Sequence, residues 1–153
     1  MAGEHTQAET KRQTNLDIAA LSAVSNLQIS ALNVRNQIER SVLDALGLSW
    51  AGFVTLWVVM VWKNPEARQV AAETGLAKAT LSGVLNTLEA AKLITRKQSK
   101  DDKRIVLVAL TAKGQKLIEK ALPAVNQSAK EITAQVGKEN LRDLANFLAA
   151  LAN

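Results

Sequence analysis

The sequence predicts a mostly α-helical chain with one small β-hairpin. Three observations predict it. Apolar residues recur at steps of three or four near both ends of the chain, the period of an amphipathic helix. In the middle, two short helical segments are divided by Gly75. After them come ITRKQ, which starts with apolar–polar alternation, and IVLVAL, which is short and rich in β-branched residues; two such runs around a polar loop make a hairpin.

The elements follow in order. Residues 1–14 are polar and aperiodic and read as a flexible N-terminal arm. His5, the sole histidine, falls in that arm, where a metal or catalytic role lacks converging partners. From Asn15 the stripe Leu16, Ala20, Val24, Leu27, Ala31, Val34, Ile38 and Val42 runs uninterrupted by Gly or Pro up to Gly47. A helix over 15–47 is longer than a small monomer usually covers, so it is expected to serve dimerisation. Ser49 is placed to cap a helix through the Trp-rich stretch Trp50 to Trp62, expected to be buried. Asn64-Pro65 ends it. A helix from about Glu66 to Thr74, a turn at Gly75 and a helix from about Ala77 to Ala91 follow, then the hairpin. A last helix starts near Thr111, with Pro123 permitting a bend. It carries Val125, Ala129, Ile132 and Val136, and beyond Gly137 comes the row Leu141, Leu144, Leu148 and Leu151. The expected division is therefore arm 1–14, dimerisation helix 15–47, winged helix-turn-helix lobe 48–112 and C-terminal dimerisation helices 113–153.

Composition narrows the function. The 153 residues suffice for one domain with a real core, and 48% hydrophobic with 22% charged is ordinary for a globular protein. Nineteen Lys and Arg against fourteen Asp and Glu give +5, which favours an anionic partner. The absence of cysteine excludes disulfides and thiolate chemistry. The N-terminus has no apolar segment of signal-peptide type, and the Trp50–Trp62 stretch is shorter than the ~20 residues of a membrane span. A cytoplasmic protein without membrane attachment is expected. No H-x-x-x-H, G-x-x-x-x-G-K-[ST] or G-x-S-x-G occurs, so neither an enzyme nor a cofactor is expected.

Two short helices, a tight turn and a hairpin make the layout of a winged helix-turn-helix. Ala71 is small where the two helices approach, Gly75 can take the left-handed conformation, and Leu81 anchors the second helix. At 100° per residue Leu81, Val84, Leu85 and Leu88 share one side of that second helix; Ala79, Ser82, Gly83 and Asn86 share the other. This outward face is small and polar and fits the floor of a major groove, where Ser and Asn bond base edges and Ala meets a thymine methyl. Lys78 and Thr80 flank it at the helix N-terminus, which attracts phosphate. Glu89 is the one acidic residue between Lys78 and Lys92. Double-stranded DNA is the expected partner.

Three stretches, in order and spacing, resemble the MarR family of winged-helix transcription regulators: LSWAGFVTLW, KATLSGVLNTLEAAKLITR, and the wing signature DDKR…LTAKG, here Asp102, Lys103, Arg104, Leu110, Thr111 and Gly114. The resemblance covers nearly the whole chain. It implies a homodimer joined by the terminal helices, and Arg104 or Lys103 entering a minor groove, whose negative potential draws in a guanidinium. Asp102 would support the wing by holding Arg104; Asp101 reads as a turn residue. Arg96, Lys97, Lys100 and Lys103 would meet phosphates. The resemblance further implies repression at a palindromic operator, released by a small aromatic or phenolic effector. Trp50, Phe53, Trp57 and Arg35 are the candidates to line its pocket, with Trp62, Met60 and Arg40 nearby. The alternative is a winged-helix protein–protein interaction module that does not bind DNA.

Two positions depart from the family pattern. Gly83 stands where many members carry Arg, at a cost of roughly 1 kcal/mol of helix propensity, and lets the backbone approach bases closely. Lys92 stands where a Gly usually follows the recognition helix.

Overall fold

The computed structural model describes residues 16–151. The arm expected over 1–14, with His5, lies outside the described residues. The chain divides into two compact units, one up to Val34 and one from Arg35 onward. Helix α1 (Ile18–Ile38) starts in the first and ends in the second; it begins just after Asp17, whose Oδ1 accepts the Ala20 N–H at 2.9 Å, a capping bond. Leu21, Val24, Ile29 and Leu32 on α1 are exposed.

The second unit carries the lobe. The helical path does not continue to Gly47 as regular α-helix. After Ile38 it widens into a π-turn over Glu39–Leu43 and tightens into a 3-10 turn over Asp44–Leu46, ending at left-handed Gly47. The departure has a local cause. Glu39 reaches forward to accept the Trp50 backbone N–H at 2.5 Å, and Leu43 is fully buried. Helix α2 (Trp50–Trp62) starts as expected from Ser49, whose Oγ accepts the Gly52 N–H at 3.1 Å. Phe53, Leu56 and Val59 sit in the core, but Trp57, Val61 and Trp62 stay exposed. The expectation of a buried helix is therefore corrected: one face of α2 is exposed among the described residues.

Lys63 and Asn64 both take positive φ, and Pro65 ends the helix. The Pro65 carbonyl accepts Val108 N–H at 2.9 Å and Glu66 bridges to Leu107, so this segment lies along the hairpin's outer strand. Helix α3 (Ala67–Thr74) and helix α4 (Lys78–Ala90) are joined through Gly75 at φ +65, the left-handed turn that residue allows. Strands β1 (Ile94–Gln98) and β2 (Val106–Leu110) pair antiparallel, with Ile94 opposite Leu110 and Gln98 opposite Val106. Helix α5 (Ala112–Thr133) contains Pro123 without a break, and buries Ile118, Ala121 and Val125 against the core. After a 3-10 turn (Ala134–Val136), helix α6 (Lys138–Leu151) closes the described chain with none of its residues buried. Helix α2 packs against α3, α4, α5 and β2, so it is the axle of the lobe. No single helix among the described residues is long and apolar enough to cross a membrane.

Candidate nucleic-acid interface

The root of the hairpin is fixed by the segment Leu110-Thr111-x-x-Gly114. Thr111 Oγ1 donates to the Lys92 carbonyl at 2.7 Å and accepts the Gly114 N–H at 3.0 Å, so one hydroxyl both pins the turn after α4 and caps α5. Gly114 lies so close to that turn that a β-carbon there would sit 2.0 Å from the Leu93 carbonyl oxygen. Between α4 and β1, Lys92 adopts φ +60, and Leu93 N–H returns to the Leu88 carbonyl at 2.9 Å, closing α4.

Leu81, Leu85 and Leu88 of α4 are buried and Val84 is half-buried, while Lys78, Ala79, Thr80, Ser82, Gly83 and Asn86 are all exposed. No side chain caps the first turn at Ala77, which leaves its amides available to an anion. The position of a β-carbon on Gly83 meets nothing within 4 Å, so that point of α4 is open.

The loop joining the strands is ordered by its own polar groups. Ser99 N–H donates to the Ile105 carbonyl at 2.9 Å, and Ile105 N–H to the Asp102 carbonyl at 2.9 Å. Asp102 accepts the Arg104 backbone N–H at 2.9 Å and its guanidinium through Nε and Nη2, each at 3.2 Å. The Arg104 side chain is nevertheless 91% exposed, so the guanidinium is steered without being buried. Arg104 beside it holds the Asp102 carboxyl below its ordinary range. Lys97, Lys100 and Lys103 are exposed along β1 and the loop.

Arg96, expected to meet phosphate, is engaged with α4 in this subunit's lobe. Its side chain is half-buried and held within the lobe. Nε and Nη2 donate to Glu89 Oε2 at 3.0 and 2.6 Å, and its backbone N–H donates to Glu89 Oε1 at 3.1 Å. Nη2 also donates to Asn86 Oδ1 at 2.8 Å. Arg96 correspondingly lowers the Glu89 pKa. A guanidinium so engaged is a brace between β1 and α4.

These parts share one surface. A groove of about 430 Å³ is lined by Arg68 and Ala71 of α3, Lys78 and Ser82 of α4, and Arg96 and Val106 of the hairpin. A second, of about 390 Å³, is lined by Arg68, Asp102, Arg104 and Val106. Arg68 and Val106 belong to both, so the two grooves adjoin and link Lys78 and Ser82 of α4 to Arg104 of the loop.

Residues 37–121 match the family described as transcriptional regulator SarA/Rot. The chain belongs to this family of MarR-type transcriptional regulators. Over 139 residues it is 32% identical to YwaE, an uncharacterised HTH-type transcriptional regulator of Bacillus subtilis strain 168, covering 91% of this chain and 81% of that one. Two solved structures share the fold at lower identity. One is BpsR of Bordetella bronchiseptica, in a study of the regulation of its DNA binding by 6-hydroxynicotinic acid. Its TM-score is 0.79 at 23% identity, covering 86% of this chain and 99% of that one. The other is a mutant MarR from E. coli complexed with operator DNA, with TM-score 0.80 at 19% identity, covering 90% and 99%. The family is one of regulators, not of enzymes.

In this MarR-type regulator three of the four residues expected around an effector, Trp50, Phe53 and Trp57, stand together along α2. Phe53 is a core residue, 1% exposed, with ring centroids 5.7 Å from Trp50 and 6.1 Å from Trp57. Trp50 is half-buried and Trp57 exposed. Arg35 pairs with Glu39 at 3.6 Å. A groove of about 370 Å³ beside α4 is lined by Gly47, Ser49, Gly52, Thr80, Gly83 and Thr87 among others. Sequence reasoning missed Glu89 and Arg68 as members of the site. The i,i+3 spacing of Asn86 and Glu89 was a signal for the first; for Arg68 only the tertiary approach of α3 to the loop supplies one. Among the described residues no cluster of His, Asp or Glu is placed to hold a metal ion.

Proposed function

We infer that the chain represses transcription as a homodimer on a palindromic operator. The α4 of each subunit enters a major groove, and the wing tip with Lys103 and Arg104 enters the flanking minor groove. The observation that carries this reading is the pair of adjoining grooves that link Lys78 and Ser82 of α4, through Arg68, to the 91%-exposed Arg104. Ala79, Thr80, Ser82, Gly83 and Asn86 face the bases; Lys78, Lys97, Lys100 and Arg68 face phosphates. Two α4 helices read half-sites about one helical turn apart. The exposed apolar rows of α1 and of α6 are the surfaces given to a second copy, the commonest soluble assembly being a C2 dimer. A small aromatic effector regulates the binding of DNA, as 6-hydroxynicotinic acid regulates the DNA binding of BpsR.

A gel-shift titration across salt concentrations tests the wing. The double variant Lys103→Ala/Arg104→Ala is expected to bind duplex DNA more weakly, with a log–log salt slope shallower by about 1–2 per subunit. Unchanged affinity and slope would remove the wing from the interface. A wild-type protein with no salt-dependent duplex binding at all would favour a protein–protein module instead.

A further inference from the structure

We propose that Asn86 reads a hydrogen-bond-acceptor base edge, with Arg96 and Glu89 as the positioning pair that sets its amide. The proposal rests on the DNA-binding reading above and adds the chemistry that the outward face of α4 selects. A guanidinium has only donors. The Asn86 atom that Arg96 Nη2 meets at 2.8 Å must therefore be Oδ1, and the amide cannot be inverted without facing donor to donor. The guanidinium is itself immobilised, because Glu89 takes its Nε and Nη2 while also accepting the Arg96 backbone N–H. Asn86 is exposed, and among the described residues its Nδ2 has no partner.

An unrestrained Asn suits adenine: Oδ1 accepts from N6–H while Nδ2 donates to N7. Here one lone pair of Oδ1 is held by a cation, which fixes the amide, and Nδ2 is the group left for recognition. Its donors meet any acceptor edge: guanine N7 and O6, thymine O4, or adenine N7, whose N6–H the second lone pair of Oδ1 accepts. They oppose cytosine, which offers the N4 amino group. Room for this approach exists, since the adjoining Gly83 adds no side chain and Ser82, one turn earlier, is short. Arg96 thus acts on the operator through Asn86 and not by touching phosphate.

The test is sequence selection by the full-length protein from a duplex pool with a randomised centre. Wild type, Asn86→Asp and Arg96→Lys are run side by side. Asn86→Asp keeps an oxygen for Arg96, so the brace survives, but it presents an acceptor outward. Wild type should exclude cytosine, and accept the other bases, at one position of each half-site. Asn86→Asp should move that position to cytosine and bind the wild-type sequence about tenfold more weakly. Arg96→Lys keeps the charge but loses the fork; it should blur the same position, whereas a base profile identical to wild type would deny Arg96 its positioning role. An identical base profile for wild type and Asn86→Asp overturns the proposal and leaves Asn86 as a brace for Arg96 alone. If wild type selects no duplex, the DNA-binding reading fails first and takes this one with it.

Discussion

Lys92 and Gly114 face each other across the root of the wing, and their backbones ask opposite things of a side chain. At Lys92 φ is +60, a conformation in which a β-carbon crowds the following carbonyl. The bond it receives from Thr111 Oγ1 is to its carbonyl, which any residue supplies. Lys92→Gly is therefore expected to raise stability by about 0.5–1 kcal/mol, the strain relieved less the extra freedom of the unfolded chain. At Gly114 an added methyl would sit 2.0 Å from the Leu93 carbonyl oxygen, a backbone atom that cannot move aside alone. Gly114→Ala is expected to cost about 3 kcal/mol or more. Urea midpoints of the two variants check the pair, and a Gly114→Ala midpoint at the wild-type value would contradict the close approach. Sequence alone did not separate these cases. Gly83 and Gly114 are the same letter, yet one faces open space and the other a carbonyl. Lys92 was legible as a strained cap because it follows a helix where a left-handed residue belongs.

At the scale of elements, two carboxylates tie the wing to its place. Glu89 joins α4 to β1 through Arg96, and Asp102 folds the loop around Arg104. In both, the partner arginine holds the carboxyl below its ordinary pKa. A depressed folded pKa means that the unfolded chain binds more protons in the window between the two values. The stabilisation is complete above the ordinary carboxylate range of roughly 3.9–4.3 and is lost as pH falls through the lower folded values. Urea unfolding followed from pH 7 to pH 2.5 should show wild type losing stability in that acid window. Glu89→Gln should lose less across the same window, having started lower at neutral pH; parallel curves would deny Glu89 its role. Where elements start and end was largely legible, because the signals are local chemistry: Ser49 as a cap, Asn64-Pro65 as a break, Gly75 as a turn, Thr111 as the start of the last long helix. The π-turn over Glu39–Leu43 was not, since its apolar spacing continues that of α1 and its cause, the bond from Trp50 N–H to Glu39, joins residues eleven apart. The Arg96 brace was hidden for the same reason, its partners lying on another element.

For the whole molecule the open question is what covers α6. Leu141, Leu144, Phe147, Leu148 and Leu151 are exposed in a single subunit, and the helix buries no residue of its own. An apolar row this continuous is a binding surface, since monomers leave apolar residues scattered. A second copy fits it for a functional reason as well. One α4 offers small side chains and few charges, so a single lobe has little with which to hold DNA against salt. Two lobes joined in one particle bind the second half-site at an effective concentration that one lobe never reaches. Leu144→Lys/Leu148→Lys places two charges on the row without touching α4 or the wing. Sedimentation velocity across a concentration series should show wild type as a dimer and the variant shifted to monomer. In parallel gel shifts the variant should bind the duplex selected by wild type roughly 10²-fold more weakly, because avidity is lost while each lobe is intact. A variant that sediments as a dimer at every concentration would mean that α6 is covered by something other than its copy. A monomeric variant with full affinity would mean that one lobe is enough to hold the operator.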